Sequence, residues 1–113
     1  MPFVSLSMLS SEELLPGFDG KFIHTENMSL GYWNIKAGSL LPEHAHVHEQ
    51  VTHILEGQFE MTIDGKTELV EKGKVAVIPS GVKHSGRAIT DCMALDVFQP
   101  VREDYKAMME HLK

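Results

Sequence analysis

Apolar and polar residues alternate along this chain in short bursts. Residues 58–63 do so most cleanly, with Phe59, Met61 and Ile63 on one face and polar residues between them, which predicts a half-buried strand. Asp64-Gly65 supplies the hairpin turn before a second strand at 67–70. Residues 21–24 and 28–35 read as two strands split by Thr25-Glu26-Asn27, with Trp33 and Ile35 sharing a face, and 36–42 reads as a loop. Further strands are expected at 75–78 and 88–98. Residues 1–20 mix apolar residues with serines and the turn signals Pro16-Gly17 and Asp19-Gly20, and 3–9 suits an edge strand or a strand donated to a partner subunit. After Pro100 the period changes, because Tyr105, Met108, Met109 and Leu112 fall at i, i+3, i+4 and i+7 and predict a short amphipathic helix. Many short strands followed by one terminal helix predict an all-β chain, a small antiparallel barrel or jelly roll.

Composition narrows the class. The chain has 113 residues, expected to form a single domain over 1–113, with an N-terminal arm or edge strand at 1–20 and the helix within 101–113. A chain of this length buries roughly 65% of its unfolded surface, enough for a modest core. The net charge is -6 and no basic cluster is present, so neither nucleic acid nor an anionic membrane surface is an expected partner. Cys92 is the lone cysteine, the first residues lack a leader pattern, and no apolar run reaches membrane-spanning length. A reducing, cytoplasmic setting is the expectation.

Four of the seven histidines fall within ten residues, in GSLLPEHAHVHEQVTHILEG from Gly38 to Gly57. On an extended strand His44, His46 and Gln50 share a parity and would point into one cavity, three corners of a metal site. Downstream, GKVAVIPSGVKH ends an apolar strand at Pro79, turns at Ser80-Gly81 and presents His84 as a fourth ligand. His48 has the same parity, but a fifth ligand would overcrowd the centre, so it is read as facing substrate or solvent. His24, His53 and His111 are read as surface residues.

These two stretches resemble the two cupin motifs. The first is Gly38, five residues, His44-x-His46, then an acid position occupied by Gln50, and a closing Gly57. The second is Gly73, five residues, Pro79-x-Gly81, two residues and His84, with Ala88 at the usual final Asn. The resemblance implies a cupin-type double-stranded β-helix, a jelly-roll barrel. Three imidazoles and an amide leave the charge of a divalent ion uncompensated, so an anionic ligand such as a substrate carboxylate is favoured there. The ion would be one divalent transition metal, whether nickel, zinc, manganese, iron or cobalt, and ligand charge does not choose among them.

A second group of candidates lies in LDVFQPVREDY, Leu95 to Tyr105. Asp96 and Phe98 share a parity with Ala94, so an inward Ala94 would bring both to the cavity. Burial raises an aspartate pKa while a metal and Arg102 would lower it, leaving a group able to give or take a proton. Arg102 has the fork that recognises carboxylates. The competing expectation is an Asp96–Arg102 salt bridge that ties the last strand to the helix.

HAHVHEQ at 44–50, DVFQPVREDY at 96–105 and NMSLGYWNIKAGSLLPEH at 27–44 resemble the small KdgF-type cupins, which linearise unsaturated uronates released from pectin and alginate. That resemblance implies a metal held by His44, His46, Gln50 and His84, with Asp96, Phe98 and Arg102 as catalytic residues. Thr52, His48 and Trp33 are candidate substrate contacts. A sugar acid is the implied small-molecule partner, and a homodimer through an exposed sheet face is the implied assembly. Two rivals use the same fold: a metal-dependent cupin dioxygenase, which would consume oxygen, and a sugar-acid-binding module without turnover.

Overall fold

The computed structural model describes residues 2–110, with 109 and 110 described by their backbone alone. Ten strands precede one helix: β1 Glu12–Leu15, β2 Phe18–His24, β3 Ser29–Ile35, β4 Leu40–His44, β5 Glu49–Glu56, β6 Gln58–Ile63, β7 Lys66–Glu71, β8 Val75–Ile78, β9 His84–Ala88, β10 Cys92–Gln99 and α1 Glu103–Glu110. They form two antiparallel sheets, one ordered β1-β2-β3-β10-β5-β8 and the other β4-β9-β6-β7. This is the jelly-roll arrangement that the alternating pattern predicts. Among the described residues no helix is long and apolar enough to cross a membrane.

The inward faces of the two sheets make the core. Phe18, Trp33, Ile35 and Ile54 from the first sheet meet Phe59, Met61 and Val70 from the second, all buried. Phe18 sets its ring edge-on to both Trp33 and Phe59, at 6.1 and 6.4 Å between centroids, so aromatic contacts cross the gap between sheets. The Asp64-Gly65 turn has both residues at positive φ, 51° and 78°, as a two-residue hairpin between β6 and β7 requires.

Local pattern and structure part in several places. Residues 3–9 form no strand: a 3-10 turn occupies Leu6–Met8, and the edge position of the sheet belongs to Glu12–Leu15. Pro16-Gly17 does turn the chain, whereas Asp19-Gly20 lies inside β2. The reason is Trp33, whose ring covers Gly20 so closely that a Cβ there would sit 2.8 Å from it. Residues 40–42, expected as loop, already belong to β4, and the expected strand 88–98 is two strands that pass from one sheet to the other through a turn at 89–91. On the helix, Tyr105 packs against the core cluster while Met108 is exposed at 47%. Leu112, His111 and the side chain of Met109 lie outside the described residues.

Register on β10 prepares the site. Phe98 stands opposite Gln50, Asp96 opposite Thr52 and Ala94 opposite Ile54 on β5, and on the other side Ala94 pairs with Trp33 of β3. Alternation then turns Phe98, Asp96, Ala94, Gln50, Thr52 and Ile54 to the same inward face.

Candidate metal centre

His44, His46 and Gln50 do not share one strand. His44 ends β4, His46 lies in the connection that follows, and Gln50 belongs to β5 in the other sheet. His84 begins β9 directly across from His44, with the two ring centroids 4.2 Å apart. One potential ligand atom from each of the three histidines lies within 4.8 Å of the others. The donors therefore converge from both sheets and the chain between them, although parity along a single strand does not bring them there.

Hydrogen bonds determine which imidazole nitrogen is free. Nδ1 of His44 lies 2.8 Å from the Pro42 carbonyl, Nδ1 of His46 lies 3.0 Å from that of His48, and Nδ1 of His84 lies 2.9 Å from that of Val82. A carbonyl only accepts, so each Nδ1 carries the proton and each Nε2 keeps a lone pair. Burial lowers the pKa of His46 and of His84, which favours the neutral rings. Nε2 of His84 is buried without a hydrogen-bond partner.

The orientation of Gln50 follows from a relay behind it. The indole Nε1 of Trp33 can only donate, and it does so to Asp96 Oδ2 at 3.0 Å. Thr52 Oγ1 donates to Asp96 Oδ1 at 2.6 Å and so must accept from Gln50 Nε2, 2.9 Å away. The amide oxygen of Gln50 is thereby turned towards Nε2 of His46, at 3.0 Å. Two acceptors facing each other at that distance repel unless a cation lies between them. Metal–ligand bonds of about 2.0–2.2 Å would reach both atoms from a point between them, so the pair fits a first-row metal ion. The orphaned, buried Nε2 of His84 fits it as well.

Residues 31–98 match the family model of the cupin domain. The chain is a cupin. An uncharacterised protein of Streptomyces coelicolor is 31% identical to it over 81 residues, which is 71% of this chain and 77% of that one. KdgF from a Halomonas species has the same fold, with a TM-score of 0.87 at 24% identity over 93% of this chain and 98% of its own. An RmlC-like cupin from Shewanella frigidimarina superposes with a TM-score of 0.88, also at 24% identity, over 93% and 96% of the two chains. Oxalate decarboxylase of Bacillus subtilis, a protein with Mn(II) centres, shares the fold at a TM-score of 0.74 and 22% identity, over 86% of this chain and 29% of that one. These solved structures support the architecture of the cupin, and the three histidines are residues that could hold a metal ion in it.

A cavity of 360 Å³ opens beside the centre, lined among others by His44, Gln50, Thr52, Trp33, Asp96, Phe98 and Arg102. Seven of the ten residues singled out in the sequence thus meet at one wall. His46 and His84 complete the histidine cluster next to it without lining it. His48 stands outside the lining, its ring edge-on to those of His46 and Phe98 at 5.4 and 6.4 Å. Asp96 is buried, and that burial raises its carboxyl pKa against the opposing effect of its hydrogen bonds and of Arg102.

Arg102 reaches the cavity on an unforeseen partner. No Asp96–Arg102 salt bridge forms among the described residues. Instead Nε and Nη2 of Arg102 bond the carboxylate of Asp104 at 3.0 and 2.9 Å, leaving Nη1 for another acceptor. The guanidinium lies over the rings of Tyr105 and Phe98, 3.8 and 4.7 Å from their centroids. The sequence pattern does not mark Asp104 and Tyr105 as site residues; their nearness to Arg102 in Arg-Glu-Asp-Tyr is the available signal. His24, read as a surface residue, is half-buried and bonds Ser29 Oγ at 2.7 Å, which in turn accepts from the Arg102 backbone N–H at 2.8 Å.

Proposed function

We propose that this cupin is a metal-dependent enzyme that opens the ring of 4,5-unsaturated uronates, giving 5-keto-4-deoxyuronates in the breakdown of pectin- or alginate-type polymers. The observation that carries the reading is Asp96, a buried carboxyl of raised pKa that lines the same cavity as His44, Gln50 and Arg102. The likeness of its surrounding segments to KdgF-type cupins supports it.

His44, His46, Gln50 and His84 would hold the ion, and as a Lewis acid it would stabilise negative charge on substrate oxygen. Nη1 of Arg102 receives the substrate carboxylate, and Phe98 packs against the sugar ring. Ionised Asp96 takes the proton of the anomeric hydroxyl, the C1–O bond to the ring oxygen breaks as the C1 aldehyde forms, and the released electron pair becomes an enolate at C5. Protonated Asp96 then returns the proton to C4, which completes the ketone and restores the carboxylate. No atom is gained or lost, and burial that raises the pKa makes Asp96 the stronger base. Trp33 and Thr52 fix the carboxylate through one oxygen each.

The test is an anaerobic assay of metal-loaded protein on unsaturated galacturonate, read as loss of ultraviolet absorbance relative to spontaneous opening. Acceleration that a chelator abolishes supports ring opening, and Asp96→Asn is expected to keep the metal while losing at least a hundredfold in kcat, about what a general acid–base contributes. Oxygen uptake without acceleration would make the cupin an oxygenase. Binding of the sugar acid with neither would make it a binding module. The same reading includes a homodimer through the outer face of the six-stranded sheet, where Val51, Leu55, Val75, Val77 and Met93 are exposed.

A further inference from the structure

Ring opening uses one end of the cavity and leaves the other without a role. Along β5 the inward positions run Gln50, Thr52, Ile54, from hydrogen-bonding groups to hydrocarbon, and along β10 they run Phe98, Asp96, Ala94, where Asp96 is the last polar side chain before Ala94. Beyond Ile54 and Ala94 the same cavity is bounded by Phe18, Ile35, Phe59 and Met61. A uronate hydroxyl placed there would lose its water and find no partner, which is unfavourable. A methylene chain or an aryl ring would lose nothing and gain contacts. At the polar end a divalent ion held by neutral ligands, together with Nη1 of Arg102, which is free of Asp104, would attract an anion against the opposing charge of Asp96 when that carboxyl is ionised.

We propose that the cavity is a site for amphipathic monocarboxylic acids, with the carboxylate at the His44, Gln50 and Arg102 end and a hydrocarbon tail between Ile54, Ala94 and Phe59. This rests on the geometry of the cavity and its polar end, and it is independent of ring opening. It places a specificity determinant at Ala94, the smallest side chain of the apolar wall, whose size sets how far a tail can reach.

The experiment titrates metal-loaded protein with straight-chain acids from acetate to octanoate and follows the fluorescence of Trp33, the chain's one tryptophan and part of the cavity wall. Affinity is expected to rise about fourfold per added methylene until the cavity is filled. Ala94→Leu should flatten that rise, and Ala94→Val should shorten it by a smaller volume change. Bound metal is measured on each variant to check its fold. On the unaltered protein, 8-bromooctanoate should quench Trp33 beyond the effect of octanoate, because the bromine would be carried into contact with the cavity wall. An affinity that does not change with chain length, or a rise that survives Ala94→Leu in a folded variant, or no added quenching by the bromo acid, overturns the proposal. A chain-length rise without uronate turnover would leave this site standing and remove the ring-opening reading; turnover with a flat series would do the reverse.

Discussion

Thr52 bears most directly on the metal centre without touching it. Its hydroxyl accepts from Gln50 and donates to Asp96, so it sets both which end of the Gln50 amide faces the histidines and where one carboxylate oxygen sits. Thr52→Val keeps the shape and removes both bonds, leaving a buried amide N–H and a buried carboxylate oxygen short of partners. We expect a loss of stability of about 1–3 kcal/mol and a fall in metal affinity of 10- to 100-fold. Thr52→Ser should restore most of the affinity, and competition with a chromophoric chelator measures it. At this scale the sequence was informative about residue type and silent about role. Thr52 and Trp33 are expected as substrate contacts, and the structure shows both lining the cavity and each bonded to Asp96 as well. Bonds across 44 and 63 residues of chain leave no local periodic trace.

Among the elements, α1 depends on a pair at its first turn. Asp104 bonds Arg102, and this bond, more than the opposing effect of partial burial, lowers the Asp104 carboxyl pKa. A carboxyl whose pKa is lower folded than unfolded contributes stability that is present above its ordinary value and lost as pH falls through the lowered one. Acid unfolding curves should therefore show Asp104→Asn losing stability relative to the native protein at neutral pH, with the gap closing as the medium becomes acidic. Because the Asp104 side chain is 56% exposed, solvent screens the pair and the gap should be small at high salt. The helix itself was legible, since Tyr105 and Met108 fall at helical spacing. Its anchoring was not, because two residues apart on a chain say nothing of a guanidinium folded back between Phe98 and Tyr105. The strand pattern failed at 19–20 for a related reason: Gly20 signals a turn locally, yet it provides the space that the Trp33 ring needs.

On the scale of the molecule, the donors of the centre come from both sheets and the connection between β4 and β5. An ion bound there would tie β4 and β9 to β5, an interaction the unfolded chain lacks. At a free metal concentration of about a hundred times Kd, binding should add ~2.7 kcal/mol, which for a chain of this size raises Tm by roughly 10 °C or more. Thermal unfolding with and without a chelator measures the difference. The exposed apolar face of the large sheet makes a second prediction at this scale. Light scattering should report two chains per particle, and Val77→Lys, at a residue that is 63% exposed, should shift the population to monomer without loss of secondary structure. A native protein that stays monomeric at the highest concentrations would remove the dimer.

The sequence by itself determined the chemistry available here: three histidines and a glutamine at cupin spacings, an aspartate and an arginine beyond them, and strands alternating with the period that two packed sheets need. Composition and local period are properties of neighbours in the chain, so they survive without a fold. Only the tertiary structure decided that His44 and Gln50 belong to different sheets, that carbonyls of Pro42, His48 and Val82 select the free nitrogen of each ring, and that Arg102 rests on Asp104. It also decided that hydrocarbon side chains line one end of the cavity. Each of these depends on register between strands far apart in sequence, which is set by how the two inward faces pack together.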